Sequence, residues 1–212
     1  MELIDTHCHL DVEAFDSDRA EVIAAARAAG VAAMGIPAIE AAVWQGLLDL
    51  CGSEPDLHPA LGLHPVYLER HRAAHLAELE RLITEASPVA VGEIGLDFYL
   101  RDLDPDRQQA LFEDQLSIAA AARLPVLIHA RKSHDPVLAA LRRIRVPGGI
   151  AHAFSGSLQQ AYAYIDLGFK LGFGGMLTFD RSTKIRALAR ALPMDAIVLE
   201  TDAPDMTPRR AQ

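Results

Sequence analysis

The chain has 212 residues, of which 50% are hydrophobic and 23% are charged, and its formal net charge is -9. This balance predicts a single globular domain over residues 1–212 with a large apolar core, and it excludes a disordered or low-complexity chain. The acidic net charge argues against a surface that binds polyanions in general. It leaves a phosphate-bearing substrate open, because bound divalent cations can supply local positive charge.

Signals for membrane insertion, export and cross-linking are missing from the sequence. No run of about 18 apolar residues predicts a membrane span, and no basic segment with an apolar core precedes the first predicted strand. The two cysteines, Cys8 and Cys51, are too few for a disulfide framework and form no Cys-X-X-Cys zinc motif. We therefore expect a reduced, cytoplasmic, monomeric enzyme with no membrane partner.

Short apolar, β-branched runs alternate with Ala-, Leu-, Arg- and Glu-rich stretches along the whole chain, a pattern typical of βα units around a parallel sheet. The predicted strands are Leu3–Thr6, Val31–Ile36, Ala60–Leu63, Val89–Ile94, Pro125–Ile128, Gly149–Ala151, Phe169–Phe173 and Ala196–Leu199. Helices are predicted between them, the longest over about Pro105–Ala122.

Eight strands with intervening helices predict an α/β fold of the (β/α)8 TIM-barrel type. The alternative is an open doubly wound sheet, but no Gly-X-Gly-X-X-Gly follows the first strand, so the usual dinucleotide-binding motif of that fold is missing. The sequence stops ten residues after Asp202. The barrel is therefore expected to lack its last helix, through truncation or by nature, and to expose apolar surface beside the first strand.

The first predicted strand leads into two histidines, His7 and His9. Alternate residues of an extended chain project to the same face, so both imidazoles face one way and Cys8 faces the other. Taken alone, the pair fits two interpretations. The histidines could form one half of a metal site, or they could be two polar residues where a strand leaves the core.

Further metal-competent side chains follow four later strands, namely Glu93, His129, His152 and Asp202. The carboxyl ends of barrel strands meet at the face where active sites are assembled, so all six side chains are expected to converge. Imidazole and carboxylate ligands suit zinc, manganese or magnesium. The number of ligands exceeds what one catalytic ion needs, which predicts two divalent metal ions with Glu93 able to bridge them.

Seven motifs resemble those of the TatD family of metal-dependent deoxyribonucleases. They are IDTHCHL at 4–10, GLHP at 62–65, GEIGLDF at 92–98, IHAR at 128–131, HAFSG at 152–156, LGFGGMLTF at 171–179 and LETDAP at 199–204. The motifs cover nearly the whole chain in the family's order. The resemblance implies an amidohydrolase-type barrel that hydrolyses DNA phosphodiester bonds, working 3′ to 5′ from single-stranded ends.

The same resemblance implies roles for individual residues. One ion would be held by His7, His9, Glu93 and Asp202, and the other by Glu93, His129 and His152. Asp202 would also be the general base that orients or deprotonates the attacking water, so Asp202 and Glu93 are the expected catalytic residues. His64 would position the substrate or the scissile phosphate.

Other residues carry weaker predictions. Arg131 could contact a phosphate with two hydrogen bonds or be a solvated residue at a helix start. Tyr99 could stack on a nucleobase or pack against the loop that carries it. Glu200 could accept a hydrogen bond from a histidine or belong to a buried ion pair. His71 and His75 have helical spacing but no completing ligands, and a solvated face is expected for both.

Two other functional classes stay open. Amidohydrolase-type barrels also cleave C–N or ester bonds in small molecules, although such enzymes commonly carry a carboxylated lysine at the end of the fourth strand, where this chain has Glu93. The other class is a barrel without catalytic activity that binds a partner or stores metal. Six inward polar groups would serve no purpose in a mere scaffold, which argues against this class.

Overall fold

Eight parallel strands form a nearly closed barrel in the computed structural model, which describes residues 2–209. The strands are β1 (Leu3–Asp5), β2 (Val31–Pro37), β3 (Leu57–Leu61), β4 (Ala90–Asp97), β5 (Val126–Arg131), β6 (Gly149–Ala151), β7 (Phe169–Phe173) and β8 (Ile197–Leu199). Each strand pairs with its neighbours in chain order. The predicted (β/α)8 barrel is therefore confirmed.

One α-helix follows each of the first seven strands. The helices are α1 (Arg19–Ala28), α2 (Trp44–Ser53), α3 (Ala73–Ala86), α4 (Pro105–Ala122), α5 (His134–Arg143), α6 (Leu158–Asp166) and α7 (Thr183–Ala191). The described residues after β8, up to Arg209, contain no helix. Within the described residues, we find no helix that combines the length and the apolar character needed to cross a membrane.

The bounds of α4 agree with the prediction because its first turn is strongly specified. Pro105 occupies the first helical position, where a missing backbone N–H costs no hydrogen bond. Asp104 precedes it as the N-cap and accepts hydrogen bonds from the backbone N–H groups of Asp106 at 2.9 Å and Arg107 at 3.2 Å.

The core forms where the apolar sides of the strands and helices meet. Fully buried side chains include Ile36, Leu61, Ile94 and Ile128 from the strands and Trp44, Phe112 and Tyr164 from the helices. The indole N–H of Trp44 donates to the carbonyl oxygen of Gly62 at 3.2 Å, so this large ring is buried without losing a hydrogen bond.

The barrel closes between β1 and β8 through the last residue of β1 and residues just beyond the two strands, and no strand ladder pairs β1 with β8 among the residues described. The carboxylate of Asp5 accepts hydrogen bonds from the backbone N–H of Thr201 at 3.0 Å and from its hydroxyl at 2.6 Å. The backbone N–H of Asp202 donates to the carbonyl oxygen of His7 at 2.8 Å. These contacts hold the segment that carries His7 against the segment that carries Asp202.

Apolar surface is exposed beside this closure, as the sequence predicts. Ile4 on β1 is 57% exposed and Leu199 on β8 is 52% exposed. Each residue lies on one of the two strands, β1 and β8, that are not joined by a ladder among the described residues.

Two strands extend well past their predicted ends. The strands β4 and β5 remain paired as far as Asp97 and Arg131, three residues past each predicted end. Glu93 and His129 therefore lie within strands instead of at their ends.

The prediction of a solvated face for His75 is wrong. This residue is buried in the first turn of α3, where its Nδ1 accepts a hydrogen bond from the backbone N–H of Arg72 at 3.3 Å. The imidazole thus satisfies a free N–H at the helix start. His71 is half-buried, and its Nε2 donates to the carbonyl oxygen of His64 at 2.8 Å.

His134 is buried at the start of α5 and makes the acid stability of the barrel testable. Its ring contacts Phe154 with a centroid separation of 5.0 Å, and its Nδ1 lies 3.3 Å from the hydroxyl of Tyr164. Burial lowers the pKa of His134 to about 4. In the unfolded chain the pKa is about 6.5, so between these values the unfolded state binds a proton that the folded state does not.

We predict that His134→Phe will reduce the loss of stability in acid. Because the lowered pKa makes the free energy of unfolding fall as pH drops below about 6.5, the wild type should lose about 2 kcal/mol more than the variant between about pH 7 and pH 5. Urea unfolding with a chelator present measures both losses. Equal losses of unfolding free energy in the wild type and the variant would contradict the lowered pKa of His134.

Candidate metal centre

The six predicted metal-competent side chains converge at the carboxyl ends of the strands. Five of them, His9, Glu93, His129, His152 and Asp202, line an open cavity of about 560 Å³. The sixth, His7, is fully buried against them, with its Nε2 3.1 Å from Oε2 of Glu93 and 3.3 Å from Nε2 of His9. The structure therefore brings together all the residues that the sequence predicted for this site.

Within this cluster, three groups of ligand atoms are compact enough to hold an ion. The groups are His7, His9 and Asp202; His7, Glu93 and His152; and His64, Glu93 and His129, and the ligand atoms of each lie within 4.8 Å of one another. Two of the groups share His7, and two share Glu93. Glu93 is the only carboxylate among these that belongs to two groups.

Glu93 is the buried centre of the cluster, with 2% of its surface exposed. Its Oε1 lies 3.0 Å from Nδ1 of His129 and 3.3 Å from Nε2 of His64, whereas its Oε2 faces His7 at 3.1 Å and His9 at 3.6 Å. Burial alone would raise the pKa of Glu93, but the facing imidazoles outweigh burial and hold that pKa well below its usual range. Each oxygen of an ionised Glu93 thus faces its own set of histidines.

Asp202 is the second acidic member of the cluster. Its Oδ1 lies 3.5 Å from Nε2 of His9, and its Oδ2 lies 3.6 Å from Nε2 of His152. Burial raises the pKa of this carboxyl, but hydrogen bonding to His152 and His9 outweighs burial and lowers the pKa below its usual value. Asp202 therefore stays ionised at the wall of the cavity.

The hydrogen bond at the far side of His9 shows that the cluster fits a cation. Nδ1 of His9 lies 3.1 Å from the carbonyl oxygen of Pro37, which can only accept a hydrogen bond. In the neutral ring, the proton is therefore on Nδ1 and the lone pair is on Nε2, which faces the carboxylates of Glu93 and Asp202. Lone pairs and negative charges that converge in this way are the donor set of a divalent metal.

His64 has the opposite arrangement of its ring nitrogens. Its Nδ1 accepts the backbone N–H of Val66 at 3.1 Å, so the neutral ring carries its proton on Nε2, which lies 3.3 Å from Oε1 of Glu93. Burial lowers the pKa of His64 to about 4, so the ring is neutral near pH 7. His64 therefore presents a hydrogen-bond donor to the cavity in place of a lone pair.

Arg131 and Tyr99 form a stacked pair at the rim of this cavity. The guanidinium carbon of Arg131 lies 3.8 Å from the centroid of the Tyr99 ring, and Arg131 lines the cavity. Several other arginines form ion pairs with carboxylates, but Arg131 forms none with the described residues. Tyr99 is 54% exposed. An unneutralised cation and an accessible aromatic ring thus lie side by side.

The sequence prediction missed Asp97, a fully buried residue whose Oδ2 lies 3.0 Å from Nε2 of His129. Asp97 is four residues after Glu93 on β4, and even spacing places both on one face of a strand. If the fourth strand had been predicted to continue as far as Asp97, the spacing would have placed Asp97 on the same face as Glu93. Glu200 was predicted with two alternatives, and its Oε2 lies 3.2 Å from Nδ1 of His152, which favours the histidine partner.

A parallel (β/α)8 barrel with buried imidazoles and carboxylates around an open cavity at its carboxyl end defines a metal-dependent hydrolase. The model of the family described as TatD related DNase matches residues 4–212. The uncharacterized metal-dependent hydrolase YjjV of Escherichia coli (strain K12) is 43% identical over an alignment of 206 positions, and the match covers 96% of this chain and 80% of the relative. The chain belongs to the TatD family.

Two further comparisons agree with this membership. The crystal structure of YjjV, described as a TatD homolog from Escherichia coli K12, has a TM-score of 0.94 and 42% identity, and the match covers 99% of this chain and 82% of that chain. A protein of Edwardsiella piscicida named 3′-5′ ssDNA/RNA exonuclease TatD is 36% identical over an alignment of 214 positions, and the match covers 99% of this chain and 82% of the relative.

We predict that metal binding will release protons and weaken in acid. Burial lowers the pKa values of His9, His129 and His152, but the facing carboxylates outweigh burial and raise them, so in the metal-free protein these rings keep their protons to higher pH than a free imidazole does. A metal must displace those protons, so affinity should be about tenfold or more weaker at about pH 6 than at about pH 8.

Calorimetric titration with Mn²⁺ in two buffers of different ionisation enthalpy counts the protons released. An affinity that is independent of pH, with no protons released, would contradict the raised pKa values.

Proposed function

We propose that the chain is a metal-dependent deoxyribonuclease that hydrolyses DNA phosphodiester bonds stepwise from the 3′ ends of single strands. The observation that carries the proposal is the arrangement around Glu93, whose two carboxylate oxygens face separate sets of histidines at the wall of an open cavity. This arrangement suits two cations that act on one phosphate.

The residues would divide between two divalent ions, magnesium, manganese or zinc. We assign one ion to His7, His9, Glu93 and Asp202, and the other to Glu93, His129 and His152. Divalent ions bound there would lower the pKa of a water molecule and offset the negative charge of a phosphate. This local charge explains how a chain with a net charge of -9 could bind DNA at this cavity.

Asp202 is the group best placed to act on the attacking water. It lines the cavity and its pKa is lowered, so the carboxylate is ionised and can accept a hydrogen bond or a proton. Glu93, buried and ionised behind it, orients the histidines on both of its sides. These contacts support Asp202 as the general base and Glu93 as the shared ligand.

Three residues would contact the substrate itself. His64 presents its Nε2 proton beside Glu93, where a phosphate oxygen can accept it. Arg131 supplies a guanidinium that has no recorded carboxylate partner in the described chain, and such a group suits a phosphate. Tyr99 offers an exposed ring on which a terminal base can stack.

The name of the Edwardsiella piscicida relative, 3′-5′ ssDNA/RNA exonuclease, supports the polarity and the single-stranded substrate. The presence of Glu93 on the fourth strand supports a phosphodiesterase over the amidohydrolase alternative, since no lysine is available there to become a carboxylated ligand.

We predict that Asp202→Asn will lower the turnover of single-stranded DNA by about 100-fold or more, because the amide cannot accept a proton from water. The assay follows 5′-labelled single-stranded DNA that is shortened from its 3′ end in the presence of Mn²⁺ or Mg²⁺, with an EDTA control. Metal content and circular dichroism of the variant are measured in parallel. Full activity of Asp202→Asn would remove the general-base assignment, and no metal-dependent cleavage by the metal-loaded wild type would contradict the nuclease proposal.

We predict that Arg131→Ala and Tyr99→Leu will each raise KM for single-stranded DNA by about tenfold with little change in kcat, because they remove a phosphate contact and a stacking surface. Arg145→Ala is the matched control, since Arg145 is an exposed arginine before β6, at the other end of the barrel. An equal effect of Arg131→Ala and Arg145→Ala would show that general charge is responsible and would contradict a rim contact.

A further inference from the structure

His129 is contacted on its outer side by a carboxylate that lies outside the assigned ligand set. Oδ2 of Asp97 lies 3.0 Å from Nε2 of His129, while Nδ1 of the same ring lies 3.0 Å from Oε1 of Glu93 at the cavity. The other oxygen of Asp97 accepts the backbone N–H groups of Tyr99 at 3.0 Å and Leu100 at 3.2 Å. Asp97 is thus fixed between the loop after β4 and the histidine.

Helix α4 holds the backbone of Asp97 in place as well. The backbone N–H of Asp97 donates to Oε1 of Gln108 at 2.8 Å, and Nε2 of Gln108 donates to the carbonyl oxygen of Asp97 at 3.1 Å. Gln108 is itself buried. Both the main chain and the side chain of Asp97 therefore have all their strong partners within the protein.

His152 has the same relation to Glu200, a buried residue just after β8. Oε2 of Glu200 lies 3.2 Å from Nδ1 of His152, and neither of these buried atoms has a hydrogen bond of good geometry among the described residues. Oε1 of Glu200 accepts the backbone N–H of Ala153 at 2.7 Å. A Cβ atom at Gly172 would lie 2.0 Å from Oε2, so this glycine leaves the space that the carboxylate occupies.

A neutral imidazole carries one proton, so the nitrogen that donates to a carboxylate determines which nitrogen keeps the lone pair. A proton of His129 on Nε2, which faces Asp97, leaves the lone pair on Nδ1. A proton of His152 on Nδ1, which faces Glu200, leaves the lone pair on Nε2. Both lone pairs then face the cavity, beside Glu93 and Asp202 respectively.

We propose that Asp97 and Glu200 are positioning residues for the second ion, because they fix the proton and the ring orientation of His129 and His152. The inference rests on the two-ion assignment made in the proposed function. His9 is instead oriented by the carbonyl oxygen of Pro37. Loss of Asp97 or Glu200 should therefore weaken the ion at His129 and His152 selectively.

Isosteric amides test the proposal because they keep the size of each side chain and reverse one hydrogen bond. In Asp97→Asn, the amide oxygen stays with the two backbone N–H groups, so the NH2 faces Nε2 of His129 and drives the ring proton to Nδ1. In Glu200→Gln, the oxygen stays with the N–H of Ala153, and the NH2 drives the proton of His152 to Nε2. Each variant then presents a proton where the metal needs a lone pair.

Asp11→Asn is the matched control variant. Asp11 follows the first two histidines in the chain, and its carboxylate oxygens have no hydrogen-bond partner among the described residues. The substitution removes the same charge close to the cluster without touching the proton of a histidine. Its metal content should equal that of the wild type.

The first readout is ¹⁵N NMR of the histidine rings in the metal-free protein, at a pH where the rings are neutral. We expect the proton of His129 on Nε2 and that of His152 on Nδ1, and each amide variant should reverse its own histidine. The second readout is Mn²⁺ binding. Asp97→Asn and Glu200→Gln should bind the second ion about tenfold or more weakly than the wild type and Asp11→Asn, with the first ion retained.

Wild-type rings with the opposite protonation would overturn the proposal, even if an amide variant failed to fold. Amide variants with wild-type protonation and wild-type Mn²⁺ binding would overturn it as well. Neither readout uses DNA, so failure of the nuclease assay would leave this test unaffected, and failure of this test would leave the nuclease assay unaffected.

Discussion

The buried carboxylate of Glu93 is the constraint on which the site depends. It lies within the barrel wall, 2% exposed, with imidazoles from β5 and from the segments after β1 and β3 directed at its two oxygens. Removing such a carboxylate from water is costly unless positive charge or donors surround it. Here the surrounding rings lower its pKa, and a neutral His9, whose Nδ1 faces the carbonyl oxygen of Pro37, directs a lone pair toward it that suits a cation.

The barrel supplies this arrangement because its strands end at one face. Hydrogen bonds between the end of β1 and the segment after β8, including those of Asp5 with Thr201, close the barrel where no ladder is formed among the described residues. A neighbouring hydrogen bond holds His7 against Asp202, so closure of the fold and assembly of the candidate metal ligands depend on the same few hydrogen bonds. The stacked pair of Arg131 and Tyr99 then lies on the open side, where a substrate would enter.

The barrel and the convergence of the ligands were predictable from the sequence because both follow from local patterns, apolar strands that lead into His or acidic residues. The contact between Asp97 and His129 was not predictable, because it depends on how far β4 remains paired with β5. The difference between His64 and His9 was not predictable either. It rests on hydrogen bonds to backbone groups of Val66 and Pro37, and no sequence pattern encodes those contacts.

Electron paramagnetic resonance of the Mn²⁺-loaded protein tests most directly whether Glu93 is shared by two ions. A carboxylate that binds one ion with each oxygen couples their electron spins, so we predict a multiline spectrum of an exchange-coupled pair at saturation. The coupling should disappear in Glu93→Gln. Saturation of the wild type with only the spectrum of isolated Mn²⁺ would contradict a shared Glu93.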